Sequence, residues 1–284
     1  MSFNQRVTVV TVTWRSAETI GGFLGACPPG LPVVLVDNAS PDDTVNRASL
    51  AHPGARILEN ARNLGFGAAC NRGLDAVGTE FALLANPDAR LSAAAIERLV
   101  AAADAHPAHR LVAPLLLDAA GRPVRSWNAG QASRPALPRR RDAEPWPEGP
   151  FCAAFASGAC LLLRPADGPR FDEGFFLFYE DDDLCARAGG VLLEPAARVA
   201  HEGGRSSPPS LATTWRKARS MAWSRLRFAA IHGGGPAAAR RDGVRRLAHH
   251  AAKALGHGLT MRPRRVLADL AGIAGTLAWL RGQA

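Results

Sequence analysis

Residues 7–40 read VTVVTVTWRSAETIGGFLGACPPGLPVVLVDNAS, and this stretch decides the fold. Its first seven residues are all Val or Thr, almost continuously apolar, as in a strand buried on both faces. A helical stretch over residues 17–26 follows, with Ser16 placed to cap it. Pro28, Pro29 and Gly30 then break the chain. VVLV at 33–36 is a second strand, ending in Asp37-Asn38-Ala39-Ser40.

Outward from there the alternation continues. Ser40, Pro41, Asp42 and Asp43 read as an N-cap, a first-turn proline and first-turn acids of a helix reaching residue 51. Residues 56–59 predict a strand, 65–77 a helix, and FALL at 81–84 another strand. Ser92 can cap a helix that runs to residue 105. The predicted class is α/β, a mostly parallel sheet with helices on both faces. Such sheets bind ligands beyond the carboxyl ends of their strands. Those ends are Thr13-Trp14, Asp37-Asn38 and Asn86-Pro87-Asp88.

Between residues 118 and 150 the pattern gives way to a proline-rich irregular segment that includes Arg139, Arg140 and Arg141. Residues 155–163 look strand-like. An aromatic-rich stretch, 171–179, leads into Glu180-Asp181-Asp182-Asp183, which opens a short helix. Short strands are expected at 191–193 and 198–200. From residue 208 onward the chain reads as helices broken at 233–235, 256–258 and Pro263. The expected division is an α/β domain over 1–210 and a basic helical extension over 211–284.

Of the 284 residues, 47% are hydrophobic and 21% charged, an ordinary globular composition that excludes disorder. Five cysteines without a C-x-x-C pair exclude a zinc ribbon and a dense disulfide scaffold, and fit a reducing compartment. The opening MSFNQRVTVV lacks the pattern of a secretory signal, so the expected location is cytoplasmic. The net charge of +9 is uneven. Residues 211–284 hold 14 Lys and Arg against two acids, a charge of +12, which leaves −3 for the rest.

Several residues have the chemistry of a site. Asp37 can accept hydrogen bonds from a base or ribose, or serve only as a turn acid. Asp88, after an apolar strand, can hold a divalent cation or close a turn. In the acidic run 180–183, one carboxylate among several can act as a general base; acids also simply favour a helix N-terminus. His201, before Gly203-Gly204, is a structural histidine, a metal ligand or a phosphate donor. Arg62, Asn63 and Gly65 set a cation and backbone N–H groups at a helix start, where phosphate binds. The spacing is not G-x-G-x-x-G, which argues against a nicotinamide enzyme.

In its order of segments the chain resembles the family 2 inverting glycosyltransferases, above all their bacterial rhamnosyltransferase-like branch. The matching pieces are VTVVTVTW (7–14), VVLVDNAS (33–40), ARNLGFGAACNRGL (61–74), FALLANPDARL (81–91), ASGACLLLR (156–164), FDEGFFLFYEDDDLCAR (171–187) and ARVAHEGGRSS (197–207). The resemblance implies a GT-A fold. It implies that Asp37, at the strand ends with Thr13, contacts the nucleobase, and that Arg62, Asn63 and Gly65 line the nucleotide pocket. Asp88 would be the surviving acid of an Asp-x-Asp motif and would hold Mn2+ or Mg2+ on the donor diphosphate. Asn86 stands where many relatives carry the first acid. Asp181, beside Glu180, would be the catalytic base, and His201 would reach the metal or diphosphate. Trp14-Arg15 replaces the usual Tyr-Asn.

The implied activity is transfer of a sugar, rhamnose or alternatively another hexose, from a dTDP- or UDP-sugar donor to a glycan or lipid-linked acceptor. The high pI also raises nucleic-acid binding, but the charge sits on helices without aromatic interleaving and no reader motif is present. The basic tail carries Trp215, Trp223, Leu226, Phe228, Val266, Leu270, Leu277 and Trp279. These residues suit either peripheral contact with an anionic inner membrane face or packing, on the catalytic domain or on a second subunit in a homodimer.

Overall fold

The computed structural model describes residues 3–130, 146–201, 203 and 210–282. Arg139, Arg140 and Arg141 lie outside the described residues. A single turn, α1 (Phe3–Arg6), leads into β1 (Val7–Thr13). Then come α2 (Ile20–Gly25), β2 (Val33–Asp37), α3 (Thr44–Ala51), β3 (Arg56–Glu59), α4 (Phe66–Leu74), β4 (Phe81–Ala85), β5 (Ala89–Arg90) and α5 (Ala93–Ala105). The chain continues through β6 (Leu111–Leu117), β7 (Trp127–Asn128), β8 (Phe151–Ala153), β9 (Phe155–Ala156), β10 (Cys160–Leu163), α6 (Glu180–Ala188) and β11 (Val191–His201). Three long helices follow: α7 (Leu211–His232), α8 (Gly235–Leu259) and α9 (Pro263–Leu280).

The main sheet has the order β3-β2-β1-β4-β10-β6-β11-β5, with β8 also on β11. Strands β3, β2, β1 and β4 are parallel, so the carboxyl ends of β1, β2 and β4 share one edge. β10 runs antiparallel between β4 and β6, which makes the complete sheet mixed. β7 and β9 form a separate antiparallel pair. The pleat sends alternate side chains to opposite faces. Val9 and Leu35 join Phe23, Leu24, Ile96 and Leu99 on one side. Val10, Val34 and Val36 join Ala69, Leu74, Leu184 and Phe171 on the other. Burial on both faces explains why β1, β2 and β4 carry so little polar alternation.

The structure departs from the sequence reading in several places. β6 was not anticipated, because Pro114 lies inside it and proline cannot donate to a ladder. The ladder accommodates it: between Glu194, opposite Pro114, and Arg198 the register with β11 shifts. The two short strands expected at 191–193 and 198–200 are one strand carried through that irregularity. Ser40 does not start α3. The helix begins at Thr44 with Asp43 before it, while Ser40 closes a turn on Asp37. The expected break at 256–258 is absent: α8 continues through both glycines to Leu259. His257, between them, donates from Nδ1 to the Asp269 carboxylate on α9 (2.8 Å), which ties that last turn down.

The chain divides into two compact units. One takes the residues up to Phe171 and those from Asp181 to the end of β11; the other takes Asp172–Glu180 and the three long helices. Within the second unit α7 and α9 approach at Gly275, where an added Cβ would lie 2.1 Å from the Arg219 carbonyl oxygen. Asp269 links α9 to α8 through His250 (3.1 Å) and His257. Burial, the largest influence on Asp269, pushes its pKa up. Hydrogen bonds from the two histidines outweigh it and hold the carboxyl below the usual aspartate value.

Candidate functional site

At the carboxyl ends of β1 and β2, Asp37 is buried and well partnered. Its Oδ1 accepts from the Thr13 hydroxyl (2.9 Å) and the Ser40 hydroxyl (2.5 Å); its Oδ2 accepts from the Ser40 N–H (2.7 Å). Ala39 reaches a φ of 58° to close this turn. Four lone-pair sites on a carboxylate leave Oδ2 able to take a further donor.

Asn38, which the sequence reading did not single out, organises the next loop. Its Nδ2 donates to the Gly65 carbonyl (3.0 Å), and its Oδ1 accepts from Asn60 Nδ2 (2.7 Å) and the Leu64 N–H (3.3 Å). Asn60 in turn takes a hydrogen bond from Arg72 on α4. The loop that carries Arg62 and Asn63 is thereby fastened to the end of β2. Asn63 Oδ1 accepts the Gly65 N–H (2.9 Å), and Gly65 stands at φ 92°, a conformation that favours glycine. Thr13, Asp37, Asn63 and Gly65 thus share one mouth, with Arg62 exposed at its margin.

A second group forms where β4 ends. β5 pairs antiparallel with β11, His201 opposite Ala89. That register brings His201 Nε2 within 3.3 Å of Asp88 Oδ1 and 3.5 Å of Asn86 Nδ2. Asp88 is 2% exposed. Among the described residues no group of three or more His, Cys, Asp or Glu side chains is arranged to hold a metal.

The third group is the start of α6. Asp181 is buried, its Oδ2 accepting the Gly158 N–H (3.0 Å) and its Oδ1 the Asp182 N–H (3.1 Å). A Cβ at Gly158 would sit 3.1 Å from Asp181 Cβ, so the bare backbone permits the approach. The next residue, Ala159, accepts the Asn86 N–H (3.0 Å). Two consecutive residues therefore bind Asp181 on one side and the Asn86–Asp88 turn on the other. Their neighbour Cys160 is no rival nucleophile, since burial pushes its thiol up to about 12. Glu180 and Asp182 are buried as well, while Asp183 pairs with Arg187 (2.7 Å).

The segment just before α6 is under strain. Phe178 and Tyr179 hold φ values of 68° and 67°, costly for bulky residues. Within its own unit this segment is strapped to α7. Asp172 pairs with Arg227 (2.7 Å), the Leu177 carbonyl accepts from Ser224 Oγ (3.0 Å), and Tyr179 stacks on Phe228 at 5.5 Å.

Comparisons with known proteins give the family and the fold. The family model described as glycosyl transferase family 2 matches residues 8–163. The N-acetylglucosaminyl-diphospho-decaprenol L-rhamnosyltransferase of Mycobacterium tuberculosis (strain CDC 1551 / Oshkosh) is 29% identical over 239 residues, 70% of this chain and 76% of that one. Among solved structures, the mannosyltransferase PcManGT from Pyrobaculum calidifontis, in complex with GDP-Man and Mn2+, has a TM-score of 0.54 at 18% identity, covering 98% of this chain and 88% of its own. S. aureus TarS 1-349 has a TM-score of 0.54 at 14% identity, with 98% and 92% covered. At such identities the two structures establish a shared fold.

Proposed function

The chain belongs to glycosyl transferase family 2, and from that premise we propose that it moves rhamnose from a dTDP- or UDP-linked donor to a hydroxyl of a lipid-linked glycan, inverting the anomeric centre. It is a glycosyltransferase with a GT-A fold. The nucleic-acid and nicotinamide readings are not favoured. Rhamnose and the lipid-linked acceptor are suggested by the name of the Mycobacterium tuberculosis relative, and the nucleotide donor by the GDP-Man and UDP complexes of the structural neighbours. Such an acceptor puts the enzyme at the cytoplasmic face of the cell membrane.

The observation that supports the chemistry is the Gly158–Ala159 connection, with a fixed carboxylate on one side and the Asp88–His201 pair on the other. In the proposed reaction the acceptor oxygen attacks the anomeric carbon as Asp181 takes its proton. The bond from that carbon to the diphosphate oxygen breaks, and its electron pair leaves with the nucleoside diphosphate. One base and no enzyme nucleophile make this a single displacement with inversion. Glu180 adds a second carboxylate beside the base. Asp37, aimed by Thr13, accepts a hydrogen bond from the base or ribose, and Arg62, Asn63 and Gly65 line the nucleotide.

Asp88 and His201 fit a divalent cation. One buried carboxylate and one imidazole are too few to complete its shell, which suits an Mn2+ or Mg2+ ion that takes its other ligands from phosphate oxygens. When bound, such an ion neutralises charge on the departing diphosphate. Asn86 holds the turn that presents Asp88.

The test is a panel of nucleotide sugars with a polyprenyl-diphosphate-linked N-acetylglucosamine acceptor, with and without Mn2+. Acceptor-dependent release of one nucleoside diphosphate and a product of inverted configuration are expected. A retained configuration overturns the single displacement, and full activity in chelator overturns the cation. Release from no donor overturns the whole reading.

A further inference from the structure

The apolar residues that the sequence nominated for membrane contact are largely taken up inside the protein. Leu226 and Phe228 are buried, and Trp223, Val266, Leu277 and Trp279 are half-buried. A different set is turned outward. On α8, Val244, Ala248, Ala251, Leu255 and Leu259 fall within a sector of ~80° at 3.6 residues per turn. All five are exposed, Leu255 at 72% and Leu259 at 87%. Met261, just beyond the helix end, is 88% exposed and stands at φ 51°. The opposite side of α8 carries the buried Ala239 and Gly243 and the half-buried His250 and His257. A surface helix ordinarily presents its polar face to solvent. Here the outward face is apolar for about four turns, although no helix among the described residues is long and apolar enough to cross a membrane.

The surroundings of this stripe carry one sign of charge. Residues 243–268 contain Arg245, Arg246, Lys253, Arg262, Arg264 and Arg265 and no acid. Arg245 and Arg246 are engaged by Asp242, and Asp269 is occupied by His250 and His257. The exposed Arg262, Arg264 and Arg265 follow directly on Met261, at the end of the stripe that carries Leu255 and Leu259.

We propose that the outward face of α8 and the α8–α9 turn form a docking surface for an anionic lipid bilayer. Leu255, Leu259 and Met261 enter the headgroup boundary, and Arg262, Arg264 and Arg265 meet lipid phosphates. Charge complementarity selects this occupant. A second copy docked through the same patch would set like charges face to face across a two-fold axis. The inference deepens the reading of a lipid-linked acceptor and rests on it for its purpose, because docking here confines the enzyme to the plane where that acceptor lies.

The experiment uses the full chain and two vesicle preparations, pure phosphatidylcholine and an equal mixture of phosphatidylcholine and phosphatidylglycerol. Wild-type protein should co-sediment with the mixed vesicles at low salt, release as salt rises, and ignore the neutral ones. The double variant Leu255→Gln, Leu259→Gln should bind at least about tenfold more weakly. The triple variant Arg262→Gln, Arg264→Gln, Arg265→Gln should lose the preference for anionic lipid. Helical circular dichroism verifies that each variant is folded, and nucleotide-sugar hydrolysis without any lipid should match wild type. Absence of vesicle binding, or binding unchanged in both variants, overturns the docking surface. Self-association that the leucine variants abolish, without lipid binding, identifies a second copy as the occupant and overturns it too. Failure of the glycosyltransferase reading appears separately, as absent donor turnover in a protein that still binds vesicles.

Discussion

Asp181 takes its orientation from two backbone N–H groups, those of Gly158 and Asp182. The amide of Asp181→Asn is nearly isosteric and its oxygen can keep one of these two bonds, but it cannot take a proton from the acceptor. The variant should lose ~10²–10⁴-fold in transfer rate, as for other general bases, with unchanged nucleoside diphosphate affinity by calorimetry. Wild-type turnover would move the base to Glu180 or Asp182. At this scale the acids were legible in the sequence because a carboxylate that follows an apolar run is conspicuous. Asn38 and Gly158 were not. Asn38 works through the backbone of residues 64 and 65, and Gly158 through its own N–H and its missing side chain. Neither leaves a side-chain pattern that spacing alone can register.

Among the elements, the strands of the parallel block stood out because two-sided burial makes them uniformly apolar. β6 did not, because Pro114 reads as a breaker until the partner strand shifts register beside it. The attachment of Asp172–Glu180 to α7 is equally silent in the sequence, since residues 172 and 227 are paired only by folding. The close passage of α7 and α9 makes a sharper test of the helical unit. In a helix interior Ala is favoured over Gly by ~1 kcal/mol. At Gly275, however, the new Cβ would meet the Arg219 carbonyl oxygen at 2.1 Å, and backbone cannot swing aside as a flexible side chain can. Overpacking of this kind costs about 1–3 kcal/mol or more, so Gly275→Ala should lower the midpoint of urea unfolding. A raised midpoint would show that the helices separate easily there.

Over the whole molecule, charge is divided between a mildly acidic α/β unit and strongly basic helices, and composition alone revealed that division. The basic helices hold two acids, Asp242 paired with arginines and Asp269 with histidines. The Asp269 carboxyl is held below its usual pKa, so its contribution to stability is present at neutral pH. It is lost as pH falls through that depressed value, below the ordinary aspartate pKa of about 3.9. Asp269→Asn should therefore be less stable than wild type at neutral pH, and the difference should shrink under strong acid, as read by thermal unfolding across pH. A difference independent of pH would mean that the side chain acts by shape alone. The pairing of β5 with β11 has a consequence in time. Asn86 and His201, which meet across it, are 115 residues apart in the chain. At a synthesis rate of about 5–20 residues per second, the ribosome delivers the histidine roughly 6–23 s after the asparagine. Throughout that interval the nascent chain carries a parallel block of four complete strands whose Asp88–His201 corner is still half built. A growing polypeptide can thus present the edge proposed for the nucleotide before the corner proposed for its diphosphate exists.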